Sequence, residues 1–305
     1  MSERLLHRRI GEVALQGIST AGEQTCIIAP EFNVAFDFGK APRELMPIDH
    51  VCLSHGHMDH AAGVAYYFSQ RGFLGNSPGT VYVPATLADP LERLMAVWAR
   101  IEGHPSDHKI VPLEPGQDVA IRRDLLIRPF AVNHRTAALG FAVIEVRHKL
   151  REEFIGKTGP ELVALKKQGI EIQRRNEVPV LTYCGDTAEG DFLDLPHVSQ
   201  AKVLILECTF VDADHAHRAR DGYHIHARDL PRILARLKNE HIVLAHLTRR
   251  SFMREAKTAV RNLLKSTDLD RVTFLMDPEK THRRPNHAPT HKAHQNPPTR
   301  DRQGA

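Results

Sequence analysis

The sequence predicts an α/β fold (α+β in some schemes) in which two β-sheets pack face to face with helices on their outer surfaces. Short apolar runs bounded by turn residues dominate the first half of the 305-residue chain, whereas strands alternate with amphipathic helices in the second half. That order is typical of layered sheets covered by helices. No repeat of fixed period divides residues 1–276, so we expect one domain there.

The elements of the first half are mostly strands. Apolar residues at three- and four-residue spacing predict a helix over 90–102, and a second helix is predicted over 61–70, ending near Gly72. Turns containing Gly, Pro, Asn and Asp separate the remaining apolar runs. The predicted strands cover residues 11–18, 25–29, 33–38, 50–54, 80–84, 109–112, 118–121, 126–132 and 140–145.

The second half contains an alternating part and two segments that depart from it. Strands are predicted at 180–184, 203–207, 241–245 and 271–275, with helices over 227–238 and 252–265. Residues 147–177 are basic and polar with one short amphipathic helix over 160–168, which predicts an insertion. Residues 277–305 are rich in His, Pro, Asn and Gln with almost no apolar side chains, which predicts a disordered basic tail.

Composition is that of an ordinary soluble globular protein, with 42% hydrophobic and 26% charged residues. Residues 281–305 alone account for the net charge of +4, so this charge does not by itself indicate a nucleic-acid partner. No apolar run approaches the ~20 residues of a membrane span, and the N-terminus lacks the apolar segment of a secretory signal. The four cysteines lack paired metal-site spacing, which predicts buried free thiols. We therefore expect a cytoplasmic protein without a membrane partner.

The motif Ser54-His55-Gly56-His57-Met58-Asp59-His60 concentrates potential metal ligands directly after a predicted strand. Residues at i and i+2 on an extended chain point the same way, so His55 and His57 can bind one ion together. Asp59 continues that spacing, and the turn into the next helix lets His60 face a neighbouring position. Imidazoles combined with a carboxylate suit zinc or a similar divalent ion.

Three further candidate ligands also follow predicted strands. They are His134 after the strand at 126–132, Asp186 after the strand at 180–184, and His246 after the strand at 241–245. A single histidine after a strand is more often structural, but four such strand ends in this order form a joint signal for a metal site.

This order of motifs resembles the metallo-β-lactamase superfamily over roughly residues 11–276. The resemblance implies a four-layer αββα sandwich of two mixed sheets and two divalent metal ions, zinc in the first place and manganese as the alternative. It implies that one metal is held by His55, His57 and His134, that the other is held by Asp59, His60 and His246, and that Asp186 bridges them. Such a pair of ions activates water for hydrolysis.

Within the superfamily the chain is most similar to ribonuclease Z. The segment Leu206-Glu207-Cys208-Thr209-Phe210 resembles that family's HEAT motif, and Tyr223-His224-Ile225-His226-Ala227 resembles its HST loop. The resemblance implies that His224 donates a proton to the leaving 3′ oxygen, held by Glu207, while Asp59 orients or deprotonates the nucleophile. It also implies a homodimer acting on precursor transfer RNA.

Several alternatives stay open at this level. Glu207 could instead pair with Arg218 or Arg228 at the surface, and His224 could be a surface residue. The basic residues of 147–177 could contact RNA phosphates, or the glutamates there could balance them in a solvated helix-turn. The substrate could be a small phosphodiester such as a cyclic nucleotide, a sulfate ester, a thioester or a lactone. The remaining hypothesis is a non-catalytic RNA-binding protein of the same fold.

Overall fold

The computed structural model describes residues 5–278 and shows two mixed sheets in contact, as predicted. The first sheet contains β1 (Leu6–Ile10), β2 (Val13–Ala21), β3 (Gln24–Ala29), β4 (Val34–Phe36), β5 (His50–Cys52), β6 (Thr80–Pro84) and β7 (Ile110–Leu113), in that spatial order, with β14 (Leu247–Thr248) paired to β2. The second sheet contains β8 (Val119–Arg122), β9 (Leu125–Ala131), β10 (Leu139–Leu150), β11 (Gln173–Tyr183), β12 (Val203–Glu207), β13 (His241–Ala245) and β15 (Val272–Phe274).

The helices of the described residues cover the outer faces of the sheets or connect strands. They are α1 (Met58–Ala61), α2 (Val64–Phe73), α3 (Ala85–Glu102), α4 (Gly159–Lys167), α5 (Pro196–Ser199), α6 (Ala216–Gly222), α7 (Leu230–Leu234), α8 (Met253–Leu263) and α9 (Ser266–Leu269). Over residues 5–278, no helix has both the length and the apolar character needed to cross a membrane.

Three apolar clusters fill the spaces between the four layers. The inner cluster lies between the sheets and includes Phe36 of the first and Phe141 and Ile205 of the second. A second cluster joins the outer face of β12 and β13 to α7 and α8, and a third joins β5 and β6 to α2 and α3. Burial of these apolar faces is the main stabilising contribution, and the αββα sandwich is confirmed.

Each sheet is antiparallel in its first strands and parallel in its later ones. β4, β5, β6 and β7 run parallel in the first sheet, as do β11, β12, β13 and β15 in the second. The carboxyl ends of parallel strands meet at one edge of a sheet, which is where α/β folds place their ligands. This topology brings the segments after β4, β5, β11, β12 and β13 to the same edge of the sandwich.

The helix predicted over 61–70 begins at Val64 as α2, and a break at residues 62–63 separates it from the short α1. The carbonyl of His60 accepts hydrogen bonds from the backbone N–H groups of Phe38 (2.8 Å) and Gly39 (3.2 Å), so it does not continue the helical ladder. The N–H of Gly63 donates to the carbonyl of Gly39 at 2.9 Å, which holds the break against the strand end. The sequence pattern missed this division because its cause is a contact with a segment distant along the chain.

Residues 147–177 form the outer part of a long hairpin. The pairing of β10 with β11 continues outward to Leu150 opposite Gln173, and α4 lies at the tip. A capping box between Thr158 and Glu161 starts α4. The side chain of each residue accepts a hydrogen bond from the backbone N–H of the other. The tail expected over 277–305 lies outside the described residues except for 277 and 278.

Candidate active site

The seven predicted metal ligands lie together at the edge where the parallel strands end. They fall into two groups whose ligand atoms lie within 4.8 Å of one another: His55, His57, His134 and Asp186 form the first, and Asp59, His60 and His246 form the second. A third group at the same spacing joins Asp186 and His246 to His224. Oδ2 of Asp186 lies 3.8 Å from Nε2 of His55 and 3.4 Å from Nε2 of His60. Asp186 therefore lies between the groups, in the position that a bridging ligand requires.

At two of these strand ends, a residue in the left-handed backbone conformation directs the chain toward the site. Gly185 has φ of 64°, and a Cβ added there would lie 2.9 Å from Cβ of Ser54. His246, directly after β13, has φ of 58°. A non-glycine residue in this region is strained by about 1–3 kcal/mol and is typical of functional sites. The surrounding packing holds both turns in this form.

The donor set fits a divalent cation. Nε2 of His55 and Oδ1 of Asp186 are buried without a hydrogen-bond partner, although a buried unsatisfied polar atom costs about 1–3 kcal/mol. Burial lowers the pKa of His55 to about 2, so its imidazole is in the neutral form that binds metals. Imidazoles with carboxylates are the ligands of zinc and similar ions. These two unsatisfied atoms are therefore suited to bind a cation.

Asp37 lies beneath the ligands and was missed by the sequence analysis. Its carboxylate is fully buried and accepts hydrogen bonds from His60 Nδ1 (2.7 Å), Tyr183 Oη (2.6 Å), Ser54 Oγ (2.9 Å) and the Ser54 backbone N–H (2.6 Å). Because Nδ1 of His60 donates to Asp37, its Nε2 faces the site. The available signal was an aspartate inside the apolar run Phe36-Asp37-Phe38.

The buried Glu207 pairs with the half-buried His224, which excludes the alternative of a surface ion pair for Glu207. Nδ1 of His224 donates to Oε1 of Glu207 at 2.8 Å, and only 2% of Glu207 is exposed. Burial lowers the pKa of His224, but the charge and hydrogen bond of Glu207 outweigh this and raise it to about 9. Thr209, which the sequence analysis did not single out, donates its hydroxyl to Oε2 of Glu207 at 2.6 Å.

His224 stands beside both groups of candidate ligands. Its ring centroid lies 5.6 Å from that of His134 and 5.6 Å from that of His246. His226, by contrast, accepts a hydrogen bond from the N–H of Arg228 and caps a turn of 3-10 helix, so it serves the local fold. Of the two loop histidines, the structure places only His224 against the candidate metal ligands.

An open cavity of about 650 Å³ lies over the site. It is lined by the candidate ligands Asp59, Asp186 and His246 together with His224, and three arginines stand at its walls: Arg218, Arg249 and Arg250. Oδ2 of Asp59 accepts a hydrogen bond from the N–H of Gly22 at 2.7 Å. Burial raises the pKa of Asp59, but the hydrogen bond and charge of His246 lower it below the usual range, so the carboxylate is ionised.

Comparisons with known proteins agree with this fold. A model of the beta-lactamase superfamily domain matches residues 27–247. Two solved structures of low identity share the fold. The metallo-beta-lactamase fold protein YhfI from Bacillus subtilis has a TM-score of 0.56 at 15% identity, covering 84% of this chain and 92% of its own. Human tRNase Z, short form, has a TM-score of 0.52 at 16% identity, and the match covers 86% of this chain and 89% of the human chain.

The fold and the clustered histidines and aspartates define a metal-dependent hydrolase of the beta-lactamase superfamily, as the sequence resemblance predicted. Curated relatives narrow the class further. tRNase Z TRZ1 of Arabidopsis thaliana is 33% identical over 252 residues, which cover 82% of this chain and 90% of the relative. The chloroplastic tRNase Z TRZ2 of the same plant is 29% identical and matches 82% of this chain and 72% of its own length. The chain belongs to the tRNase Z family.

Proposed function

We propose that this chain is an endoribonuclease that removes 3′ trailers from precursor tRNAs by hydrolysing a phosphodiester bond at a site for two divalent ions. The observation that carries this proposal is the hydrogen bond between His224 and the buried Glu207, which places the His224 ring in contact with both groups of candidate metal ligands. A proton donor in this position suits a reaction whose leaving group is an alkoxide. The names of the curated relatives support the same substrate.

The proposed ligand set follows the two clusters. His55, His57 and His134 would hold one ion, Asp59, His60 and His246 the other, and Asp186 both. Bound zinc, or manganese as the alternative, supplies a water of lowered pKa and a positive charge opposite the phosphate. The chain's own residues do the rest. Asp59, held by Gly22, orients the attacking water and accepts its proton.

His224 then protonates the leaving 3′ oxygen. Glu207 accepts a hydrogen bond from Nδ1 of His224, which leaves Nε2 of His224 to donate the proton to the leaving oxygen. Its remaining lone pairs accept from Thr187 N–H (2.9 Å) and Ile225 N–H (3.2 Å), which keep the carboxylate fixed. A carboxylate that orients an imidazole and raises its pKa keeps it protonated at neutral pH, so that a proton is available for donation.

The outer hairpin, residues 147–177, is the proposed RNA-binding arm. Its arginines are largely engaged within the arm, since Arg151 pairs with Glu171 at 3.0 Å and Arg175 with Glu177 at 2.8 Å. Among the described residues no carboxylate pairs with the exposed Lys166 and Lys167 on α4, so these charges are available for phosphates. The two lysines support the RNA-contacting interpretation of the segment, whereas the Arg–Glu pairs are those expected of a balanced, solvated helix-turn.

The experiment compares a precursor tRNA carrying a 3′ trailer with bis(p-nitrophenyl) phosphate. Wild type, Asp186→Ala and His224→Ala are each assayed with zinc and with manganese. Trailer cleavage that is lost in Asp186→Ala and much reduced in His224→Ala supports the proposal. Diester turnover without trailer cleavage indicates a small-molecule phosphodiesterase, and no turnover of either substrate by metal-loaded protein refutes phosphodiester hydrolysis. A purified protein without bound metal would favour a non-catalytic RNA-binding role.

We also propose a cytoplasmic homodimer. The four cysteines are all free and buried, which supports a reducing compartment. One face of α3 exposes Leu94, Val97, Trp98 and Ile101 at helical spacing, with 65% of Ile101 accessible. An apolar stripe of this kind is typical of a protein–protein contact. Light scattering of wild type and Trp98→Glu tests this: the variant should be monomeric, and a monomeric wild type would contradict the proposal.

A further inference from the structure

One aromatic ring stands on the wall of the catalytic cavity. Phe210 follows β12 by three residues and is half-buried. Within residues 5–278 it is the only Phe, Tyr or Trp that lines this cavity. Its carbonyl accepts a hydrogen bond from the N–H of Ala227 at 2.8 Å, and it forms an isolated parallel β-bridge with His226. The backbone of Phe210 is therefore fixed relative to the site.

Two imidazoles hold the plane of the ring. The ring centroids of Phe210 and His215 are 5.8 Å apart at an interplanar angle of 68°, and those of Phe210 and His224 are 6.1 Å apart at 71°. Both contacts are edge-to-face, which is a favoured geometry for aromatic pairs. None of the aromatic side chains in the described part of the chain stacks parallel on Phe210. The ring is thus oriented beside the proton donor without a stacked partner.

A guanidinium group stands on the same cavity wall. Arg218 lies on α6, is exposed, and lines the cavity together with Phe210. In the described residues no carboxylate forms an ion pair with it, whereas Arg249 at the same cavity is paired with Glu23 at 2.6 Å. Arginine presents a planar fork of N–H donors that matches a phosphate group. Arg218 is therefore available to an anionic ligand.

We propose that Phe210 and Arg218 form a nucleotide subsite beside the scissile bond. The Phe210 ring stacks on the base of a nucleotide that flanks the bond, and Arg218 binds an adjacent phosphate. An aromatic platform next to a positive charge is the usual way in which proteins bind single-stranded nucleic acid without reading its sequence. The subsite rests on the proposed function, because a small ester would not require it, and it explains how an unpaired trailer junction is held near His224.

The test removes the base and the ring separately. Two hairpin RNAs with a 3′ trailer are compared, one intact and one with abasic ribonucleotides on both sides of the cleavage position. In wild type, base removal should lower kcat/KM by about 5- to 150-fold, the range of base–aromatic stacking. In Phe210→Leu, which keeps an apolar side chain without a ring, the same base removal should cost less than about 3-fold. Phe210→Tyr should behave as wild type.

The outcomes separate the subsite from the proposed function. If base removal costs wild type and Phe210→Leu the same factor while the intact RNA is cleaved, Phe210 does not stack on the base and the subsite is refuted alone. If wild type cleaves neither RNA, trailer cleavage itself fails and the subsite fails with it. A merely structural role of Phe210 would lower activity on both RNAs equally, which this comparison detects.

Arg218 is tested by the salt dependence of RNA binding, in the inactive Asp186→Ala background. Losing one phosphate contact should reduce the slope of log Kd against log salt by about 0.7 for Arg218→Ala. The matched control is Arg261→Ala, since Arg261 is exposed on α8 and does not line the catalytic cavity. A slope for Arg218→Ala equal to that of the control would overturn the role of Arg218.

Discussion

Replacing Asp37 by Asn tests whether the carboxylate beneath the site stabilises the fold and orients His60. Every hydrogen-bonded neighbour of Asp37 is a donor: Oδ1 accepts from the Ser54 N–H, and Oδ2 accepts from Ser54 Oγ, His60 Nδ1 and Tyr183 Oη. Asn preserves the shape and is among the residues that tolerate the left-handed backbone at φ of 57°. The substitution therefore removes the charge and one acceptor with little other change.

The magnitude follows from the hydrogen bonds that an amide cannot make. If the amide oxygen of Asn takes the Oδ2 position, the amide NH₂ group takes the Oδ1 position and faces the N–H of Ser54. The NH₂ group and the Ser54 N–H are then two buried donors without an acceptor. Each costs about 1–3 kcal/mol, and breaking a buried charged pair costs about 3–5 kcal/mol in all. We expect a loss of about 3–5 kcal/mol in the free energy of unfolding, with metal affinity reduced about 10- to 100-fold through His60.

Urea unfolding of the metal-free protein measures the first quantity, and competition with a chromophoric chelator measures the second. Asp118→Asn is the control, because Asp118 is partly exposed and pairs with Arg128 at 2.6 Å near the surface. That variant should lose no more than about 1 kcal/mol. An Asp37→Asn protein that matches this control in stability and binds metal as tightly as wild type would refute the reasoning.

Four further perturbations address the proton donor and its carboxylate partner, the backbone and the metal. His224→Ala should lower the single-turnover rate of trailer cleavage by about 10²- to 10⁴-fold. Glu207→Gln should shift the alkaline limb of the pH profile to lower pH, because the Glu207 charge raises the pKa of His224 and the protonated imidazole is then lost earlier as pH rises; an unshifted limb would contradict this. Gly185→Ala should unfold at a lower temperature than Gly116→Ala, since both have positive φ but only the new Cβ at Gly185 meets other atoms within 4 Å; equal melting temperatures would argue against a tight turn. A chelator should abolish hydrolysis and lower the Tm, with zinc restoring both, and a Tm indifferent to chelation would speak against the ligand set.

The candidate ligands could be predicted because each lies in the loop or first helical turn that follows an apolar strand, and the sequence reveals those strands locally. The assignment of seven ligand positions required these strand ends, their order along the chain and the resemblance of that order to the metallo-β-lactamase superfamily. Asp37 could not be found in this way, because its role depends on Tyr183 and His60, which lie on different elements. Thr209 was missed for a similar reason, since its hydroxyl contacts Glu207 and His246, which lie on different segments of the chain. The apolar periodicity of a sequence indicates that a strand is buried, but it does not show which buried polar groups contact one another.

The sequence predicts the layers of the fold correctly, but it predicts the elements at the edges of the fold less well. β1 was not recognised because the basic residues of Leu6-His7-Arg8-Arg9-Ile10 obscure its alternation at the sheet edge. The helix predicted over 227–238 is a 3-10 turn followed by α7, which begins with Pro231 in its first turn. The strands that build the outer hairpin were missed because their exposed residues on both faces lack an apolar period.

The hydrogen bond from Tyr183 to Asp37 ties the two sheets together directly below the ligands, because Tyr183 ends β11 and Asp37 follows β4. Phe36 and Tyr183 also pack ring to ring, with centroids 5.0 Å apart. As a result, the free energy of ion binding at the site is coupled to the free energy of packing one sheet on the other. Substitutions deep in the interior, away from the candidate ligands, should therefore alter how tightly the site binds a divalent ion.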